Sequence, residues 1–254
     1  MYQGFSNSRD SMMKKIAVIT PYYKESTEVL TQCFQSVSSQ DIHADHFFIA
    51  DGCPKQELNS WDIKHVLLPQ SHSDNGNTPR GIGSLLAAAQ GYDFISYLDA
   101  DNWFHPNHLS SLLDLWKETG ADVCSSFRTI HTLDGVQLRV QELDELSLNH
   151  IDTSCYLLHR NAFDALDIWL KMPKILSPVC DRIFLAGLKN KNYRFASTRK
   201  KTVAFRSQYE SHYLAAKVKP PEDTKKHVAK VPYEWLSTLD GMRETVKRLG
   251  FFPL

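Results

Sequence analysis

An α/β fold built on a mostly parallel sheet is what this sequence predicts, and three observations predict it. Short apolar, β-branched runs recur along the front half: Ile16-Ala17-Val18-Ile19-Thr20, His46-Phe47-Phe48-Ile49-Ala50, His65-Val66-Leu67-Leu68 and Phe94-Ile95-Ser96-Tyr97-Leu98. Helically spaced segments lie between the first and second runs and between the third and fourth. Each run stops on Pro or Asp: at Pro21, Asp51-Gly52, Pro69 and Asp99-Ala100-Asp101. Continuous apolar runs suit strands covered on both faces. Strands alternating with helices imply βαβ units joined by right-handed crossovers.

Taken in order, residues 1–15 read as a loose polar tail, and the first run is a buried strand closed by Pro21. In residues 27–37, Val29, Leu30, Phe34 and Val37 fall at helical spacing. The runs at 46–50 and 65–68 are the next two strands. Residues 71–80 form a polar loop holding Asn75-Gly76, and residues 82–90, rich in Leu and Ala, form a helix. After the strand at 94–98, Pro106 and Gly120 bracket a further helix as its usual start and stop residues. The second half is mixed. Residues 122–132 and 136–140 predict two strands joined by a turn at Asp134-Gly135, and residues 154–159 and 199–206 predict two more. Residues 178–189 predict a helix with Val179, Ile183, Leu185 and Leu188 available for burial. Residues 217–226 carry Pro220-Pro221 and six charges and read as an exposed linker before a C-terminal helix over 233–249. The expected organisation is a tail (1–15), one domain (16–216) made of a parallel half (16–120) and a mixed half (121–216), then the linker and helix (217–254).

Composition excludes several classes. Lys plus Arg and Asp plus Glu each number 29 in 254 residues, so the net formal charge is zero and no general attraction to nucleic acid or anionic membrane is expected. The cluster of Lys217, Lys219, Lys225 and Lys226, with Phe251-Phe252 at the end, allows peripheral membrane contact at most. No apolar run reaches the roughly 18 residues a membrane span needs. The five cysteines, Cys33, Cys53, Cys124, Cys155 and Cys180, are odd in number and never within three residues of one another. That is neither a disulfide framework nor a zinc site, and they read as mostly buried thiols in a reducing compartment. Met1 to Lys15 lacks the apolar core of a signal peptide, which predicts a cytoplasmic protein, at most at the inner face of the membrane.

Four candidate sites fall at strand ends or helix starts. Asp99-Ala100-Asp101 puts two carboxylates two apart at the carboxyl end of a strand, the edge where open α/β sheets bind ligands. Oxygen ligands there suit Mg²⁺ or Mn²⁺, and a solvated loop is the alternative. Asp51 either accepts from a nucleobase N–H or closes a plain Asp-Gly turn. In Thr20-Pro21-Tyr22-Tyr23-Lys24-Glu25 the rings of Tyr22 and Tyr23 either stack on a base or pack in the core. Arg80, before a helix whose first turn holds Gly81 and Gly83, is either a phosphate ligand or a surface arginine. Gly81-Ile82-Gly83 lacks the third glycine of a dinucleotide fingerprint, and no P-loop occurs.

Taken together, Ala17-Val18-Ile19-Thr20-Pro21-Tyr22-Tyr23, Phe48-Ile49-Ala50-Asp51-Gly52, Arg80-Gly81-Ile82-Gly83 and Tyr97-Leu98-Asp99-Ala100-Asp101-Asn102 keep an order and spacing that resembles glycosyltransferase family 2, which has the GT-A fold. The resemblance covers residues 16–104. It implies a nucleotide-sugar donor, with UDP the commonest nucleotide. It puts Pro21, Tyr22 and Tyr23 at the nucleoside pocket, Asp51 on the base, Arg80 near the nucleotide, Asp99 with Ala100 on the ribose side and Asp101 on a Mn²⁺ or Mg²⁺ ion. The front half would then be the donor half and the second half the acceptor half.

His150-Ile151-Asp152-Thr153-Ser154-Cys155 resembles the family segment under the acceptor site. In Pro178-Val179-Cys180-Asp181-Arg182-Ile183-Phe184, Asp181 stands where the family has its catalytic base, while Cys180 replaces the acid expected before it. A helix-start aspartate favoured by the macrodipole is the other reading of Asp181. Arg206 and His212 fall near a segment that can contact phosphate or metal, His212 being a candidate metal ligand or a surface histidine. The expected activity is inverting transfer of a sugar to a hydroxyl of a carbohydrate, lipid-linked or other acceptor, with no nucleic-acid partner. A nucleotidyltransferase is the rival within enzymes, but the loop after the first strand holds no glycine. A non-catalytic nucleotide-sugar or glycan-binding module is the rival outside them, favoured by Cys180.

Overall fold

The computed structural model describes residues 14–226 and 229–253, apart from the side chains of residues 143 and 145. The tail expected over residues 1–15 falls almost entirely outside them. The first strand, β1 (Ile16–Tyr22), is buried along all seven residues, which is why its sequence is a continuous apolar run rather than an alternation. α1 (Thr27–Ser38) starts where the Ser26 side chain accepts from Val29 N at 3.4 Å, and it buries Leu30, Cys33 and Val37. β2 (Asp45–Asp51) and β3 (Lys64–Leu68) follow, each parallel to the strand before it.

α2 (Asn77–Ala89) begins five residues earlier than the spacing of Leu and Ala predicts. Asp74 is the reason: its Oδ2 accepts from Thr78 N at 3.0 Å and from Thr78 Oγ1 at 2.6 Å, satisfying donors that an open helix end leaves free. Arg80 therefore lies within the first turn. Gly81 and Gly83 serve packing here. A Cβ on Gly83 would stand 2.7 Å from Ile19 Cγ2, and one on Gly81 2.7 Å from Leu170 Cγ. The helix thus lies closer to the sheet than any larger residue allows.

β4 (Phe94–Tyr97) is parallel to β1 on the side away from β2. A short β5 (Trp103–Phe104), not evident in the sequence, precedes α3 (His108–Thr119), which ends on Gly120 at φ +61° as expected. β6 (Val123–His131) and β7 (Gln137–Leu138) form the hairpin turned at Gly135, φ +85°. α4 (Leu143–Leu146) leads to a 3₁₀ turn (Thr153–Cys155), capped by Asp152, where a strand start was expected. β8 (Tyr156–His159) and α5 (Ile168–Lys171) follow. Pro178 lies in a 3₁₀ turn, so α6 (Cys180–Asn190) starts two residues later than expected. β9 (Phe195–Arg206) runs parallel to β6 through register shifts near Phe127, starting four residues before the predicted strand. α7 (Glu210–Ala215) is followed by α8 (Lys230–Leu236) and α9 (Leu239–Leu249) where one C-terminal helix was predicted. The break comes from Thr238, whose Oγ1 caps Gly241 N at 3.0 Å.

Among the described residues the strands form one sheet in the order β3-β2-β1-β4-β8-β6-β9-β5, with β7 on β6. β8 is antiparallel to both β4 and β6, so a parallel block and a mixed block share one sheet. The order reverses at β1: the chain runs outward to β2 and β3, then returns to β4 on the other side. The diverging connections leave a crevice at the carboxyl ends of β1 and β4, where such sheets take ligands. Beneath that edge Trp169 stacks on Phe184 at 4.2 Å, and its Nε1 donates to Tyr97 Oη at 3.1 Å. The chain after α7 folds back onto the segment before it: Lys225 N donates to Gln208 O at 2.6 Å. No helix among the described residues is long and apolar enough to cross a membrane.

Candidate active site

A cleft of about 940 Å³ opens over the carboxyl ends of β1, β2 and β4, lined by the residues expected at the nucleotide, metal and base (Pro21 to Tyr23, Asp51, Arg80, Asp99 to Asp101, Asp181 and His212) but not by Arg206. Pro21 and Tyr22 come from the end of β1. Tyr22 is only 2% exposed: its hydroxyl pairs with His65 Nε2 at 2.8 Å and accepts from Lys55 N at 3.0 Å, so its ring is core. Tyr23 is 37% exposed, with Lys24 Nζ 4.8 Å from its ring centre, and is the ring whose face reaches the cleft. Asp51 ends β2 and is already engaged. It accepts from His72 N at 3.1 Å, from His72 Nδ1 at 2.6 Å and from Ser71 Oγ at 3.3 Å. These bonds hold Ser71 and His72 against the end of β2.

Arg80 is 3% exposed, with its Nη2 2.7 Å from Asp99 Oδ1 and its guanidinium carbon 4.8 Å from the centre of the Trp169 ring. A buried guanidinium seated on a carboxylate and an indole holds the aspartate loop from below. That loop is fixed again by Ser154 Oγ, which accepts from Asp99 N at 3.2 Å, and by Asn102, whose Oδ1 accepts from Arg206 N at 2.9 Å. Burial raises the pKa of Asp99 against the pull of Arg80. Among the described residues no side chain pairs with Asp101 in this way. Burial, then the charges of Asp99 and Glu25, push its pKa up to about 7, with Arg206 only partly offsetting them.

The opposite wall comes from the mixed block. Arg128 of β6 pairs with both Glu142 and Asp152 and lies over Phe205. Asp181, in the first turn of α6, accepts from His150 Nε2 at 2.6 Å and from Arg182 N at 2.7 Å. Burial alone would raise its pKa, but the hydrogen bond and charge of His150 outweigh it and lower it. Cys180 is a thiol with its pKa pushed up to about 12, by burial first, so it brings no negative charge to the position of the missing acid. His212 meets Ser207 Oγ through Nδ1 at 2.7 Å, and its Nε2 lies 3.8 Å from Glu142.

Among the described residues no group of three or more His, Cys, Asp or Glu side chains forms a cage for a metal ion. The donor chemistry at Asp101 nonetheless fits a hard divalent cation. Mg²⁺-type sites use one or two carboxylates and complete their shell with water and phosphate oxygens, and Asp101 is an ionisable carboxylate crowded by other acids. Glu25, His150, Asp152, Arg128 and Glu142 were not singled out from the sequence, though all line the cleft. Glu25 sits in the first-strand motif and His150 and Asp152 in the second-half segment. Arg128 and Glu142 carried no local signal.

The sheet, its switch point and the acidic cleft define a glycosyltransferase of the GT-A fold. The chain matches the Glycosyl transferase family 2 profile over residues 17–170, and it belongs to that family. Comparison with curated protein sequences gave no match. Among solved structures it resembles S. aureus TarS residues 1–349, with a TM-score of 0.60 and 17% identity over 91% of this chain and 68% of that one. It resembles the same protein in complex with UDP (TM-score 0.61, 17% identity, 93% and 71% covered) and with UDP-GlcNAc (TM-score 0.59, 19% identity, 93% and 72% covered). Against the longer TarS chain this protein spans 41% of the length.

Proposed function

We propose that this glycosyltransferase moves a sugar from a UDP-sugar to an acceptor hydroxyl with inversion at the anomeric carbon. One observation carries the reading: Asp51, Asp99 and Asp101 on one wall and Asp181 on the other border a single cleft. UDP is favoured because TarS of the same fold is known in complex with UDP and UDP-GlcNAc. In this reading Tyr23 stacks on the base and the Asp51 edge, with the His72 and Ser71 segment it holds, closes on it. Arg80 holds Asp99 in place on the ribose side next to Ala100. Asp101 is the residue that would hold Mn²⁺ or Mg²⁺, which when bound supplies Lewis-acid stabilisation of the leaving diphosphate. His212, whose Nε2 lies 3.8 Å from Glu142 in the cleft, is the second candidate ligand for that ion.

The acceptor oxygen attacks the anomeric carbon, its proton passes to the Asp181 carboxylate, and the bond to the diphosphate breaks with its electrons leaving on UDP. A lowered pKa keeps Asp181 ionised at neutral pH, so it is ready to take the proton, and a positioned carboxylate base contributes about 10²–10⁴-fold. The acceptor is a carbohydrate, lipid-linked or other hydroxyl, met in the cytoplasm or at the inner face of the membrane. A second reading, a binding module without turnover, draws on the neutral Cys180 thiol in place of an acid. Incubation with UDP-GlcNAc and Mn²⁺ separates them: release of free UDP supports the transferase, and tight binding of UDP-GlcNAc with no UDP released supports the module.

A further inference from the structure

We propose that His150 is a positioning residue for the general base, holding the Asp181 carboxylate in one orientation. The proposal rests on the reading of Asp181 as that base. Asp181 is fixed at two points. Its Oδ1 takes the N–H of Arg182 from its own helix turn, at 2.7 Å, and its Oδ2 takes His150 Nε2 at 2.6 Å from a segment 31 residues earlier. A first-turn aspartate needs only the local bond to serve its helix. The second, buried partner restricts the side chain without adding to the helix.

His150 is itself held. It is 7% exposed, and its N donates to Asp144 O at 3.2 Å. Two residues on, Asp152 caps the Thr153–Cys155 turn through Ser154 N at 2.9 Å and pairs with buried Arg128. The imidazole is thus mounted on a segment tied to β6, and Asp181 on a separate helix, so their contact sets the distance between the two elements at the cleft. A base held within a fraction of an ångström of its working geometry is what efficient proton transfer requires. Second partners of this kind fix the orientation of the groups that do chemistry.

The charges around the pair define its titration. Asp181, Arg128 and Asp152 act on His150, and His150, Arg182's backbone and Arg128 act on Asp181. Glu142, Cys180, Asp99, Tyr156, Tyr209 and Tyr233 complete the neighbourhood. Burial opposes charge on His150, yet Asp181 outweighs it and the histidine titrates above its ordinary range. During transfer His150 keeps its proton. The acceptor proton goes to Asp181, and no bond to His150 forms or breaks.

The test follows the full-length protein through two readouts. The first is ¹⁵N imidazole NMR across pH. His150 is expected to titrate above its usual midpoint in the wild type and to fall in Asp181→Asn. A midpoint unmoved by Asp181→Asn overturns the proposal. The second is UDP release from UDP-GlcNAc in Mn²⁺, with water as acceptor, as a function of pH. His150→Ala is expected to lower the rate at neutral pH about 10–100-fold and to shift the acid limb to higher pH, because Asp181 loses its donor. Donor KM is expected to stay unchanged. His150→Gln, which keeps an N–H donor and melts like wild type, is expected to recover most of the rate. If Asp181→Asn is inactive while both His150 variants keep the wild-type rate and acid limb, the positioning role is wrong and the base stands. If Asp181→Asn retains its rate, the base reading is wrong and the positioning role falls with it.

Discussion

The two walls of the cleft treat their acids differently. On the mixed-block wall every carboxylate has a positive or donating partner: Glu142 and Asp152 share Arg128, and Asp181 has His150. On the parallel-block wall Asp99 is matched by Arg80, but Asp101 faces Asp99 and Glu25 and its pKa rises to about 7. An acid left without a countercharge destabilises a fold, so such acids persist where something else supplies the charge. Under the proposed function, the contrast separates a wall that positions a base from a wall that takes a cation and a diphosphate.

The largest effect should come from removing the base. Asp181→Asn keeps the shape of the side chain and is expected to lower transfer by about 10²–10⁴-fold, with UDP binding unchanged by calorimetry. Loss of UDP binding in that variant would merge the two walls into one functional unit. Next is the countercharge beneath the donor wall. Arg80→Met takes the buried guanidinium away from the half-buried Asp99 and is expected to cost about 1–3 kcal/mol, the range for losing a charged hydrogen-bond partner, read from urea unfolding. A cost under about 1 kcal/mol would mean the pair is effectively solvated.

A separate effect, spread over several pH units, concerns acid sensitivity away from the cleft. His46 and His108 are buried neutral, with pKa values lowered to about 3 by burial. Their unfolded forms bind protons below about pH 6.5 while the folded forms refuse them. Stability should therefore fall as pH drops from about 6.5 toward 3, by up to about 1.4 kcal/mol per pH unit for each histidine, and His108→Gln should flatten the slope. An unchanged slope would shift the acid sensitivity to the cleft carboxylates. The smallest effect is at the start of α1, where Ser26→Ala removes a cap worth about 1 kcal/mol, visible as a lower melting temperature with turnover intact.

Much of the donor wall was legible in the sequence because its chemistry is local. A buried strand announces itself by its apolar run, and the residue that ends it stands at the ligand edge by topology alone, which brought Pro21, Asp51 and Asp99 to Asp101 together. The opposite wall is built from pairs distant in sequence: His150 with Asp181, and Arg128 with Glu142 and Asp152. No periodicity encodes which histidine meets which aspartate. Arg80 illustrates the middle case. Its place near the nucleotide edge was evident, yet its partner was not, because the earlier helix start set by Asp74 turns it beneath the loop. Gly81 and Gly83 carried a phosphate signal in sequence and proved to be contacts against Leu170 and Ile19.

The most direct test is a calorimetric titration of UDP into wild type and Asp101→Asn, each with and without Mn²⁺. The account predicts UDP binding to wild type that strengthens at least tenfold with Mn²⁺, a difference of about 1.4 kcal/mol, and no such gain in Asp101→Asn. The metal-free variant should also melt higher than wild type, because one member of the crowded acid group is gone. Equal UDP affinity with and without Mn²⁺ in wild type, or a full Mn²⁺ gain retained by Asp101→Asn, would contradict it.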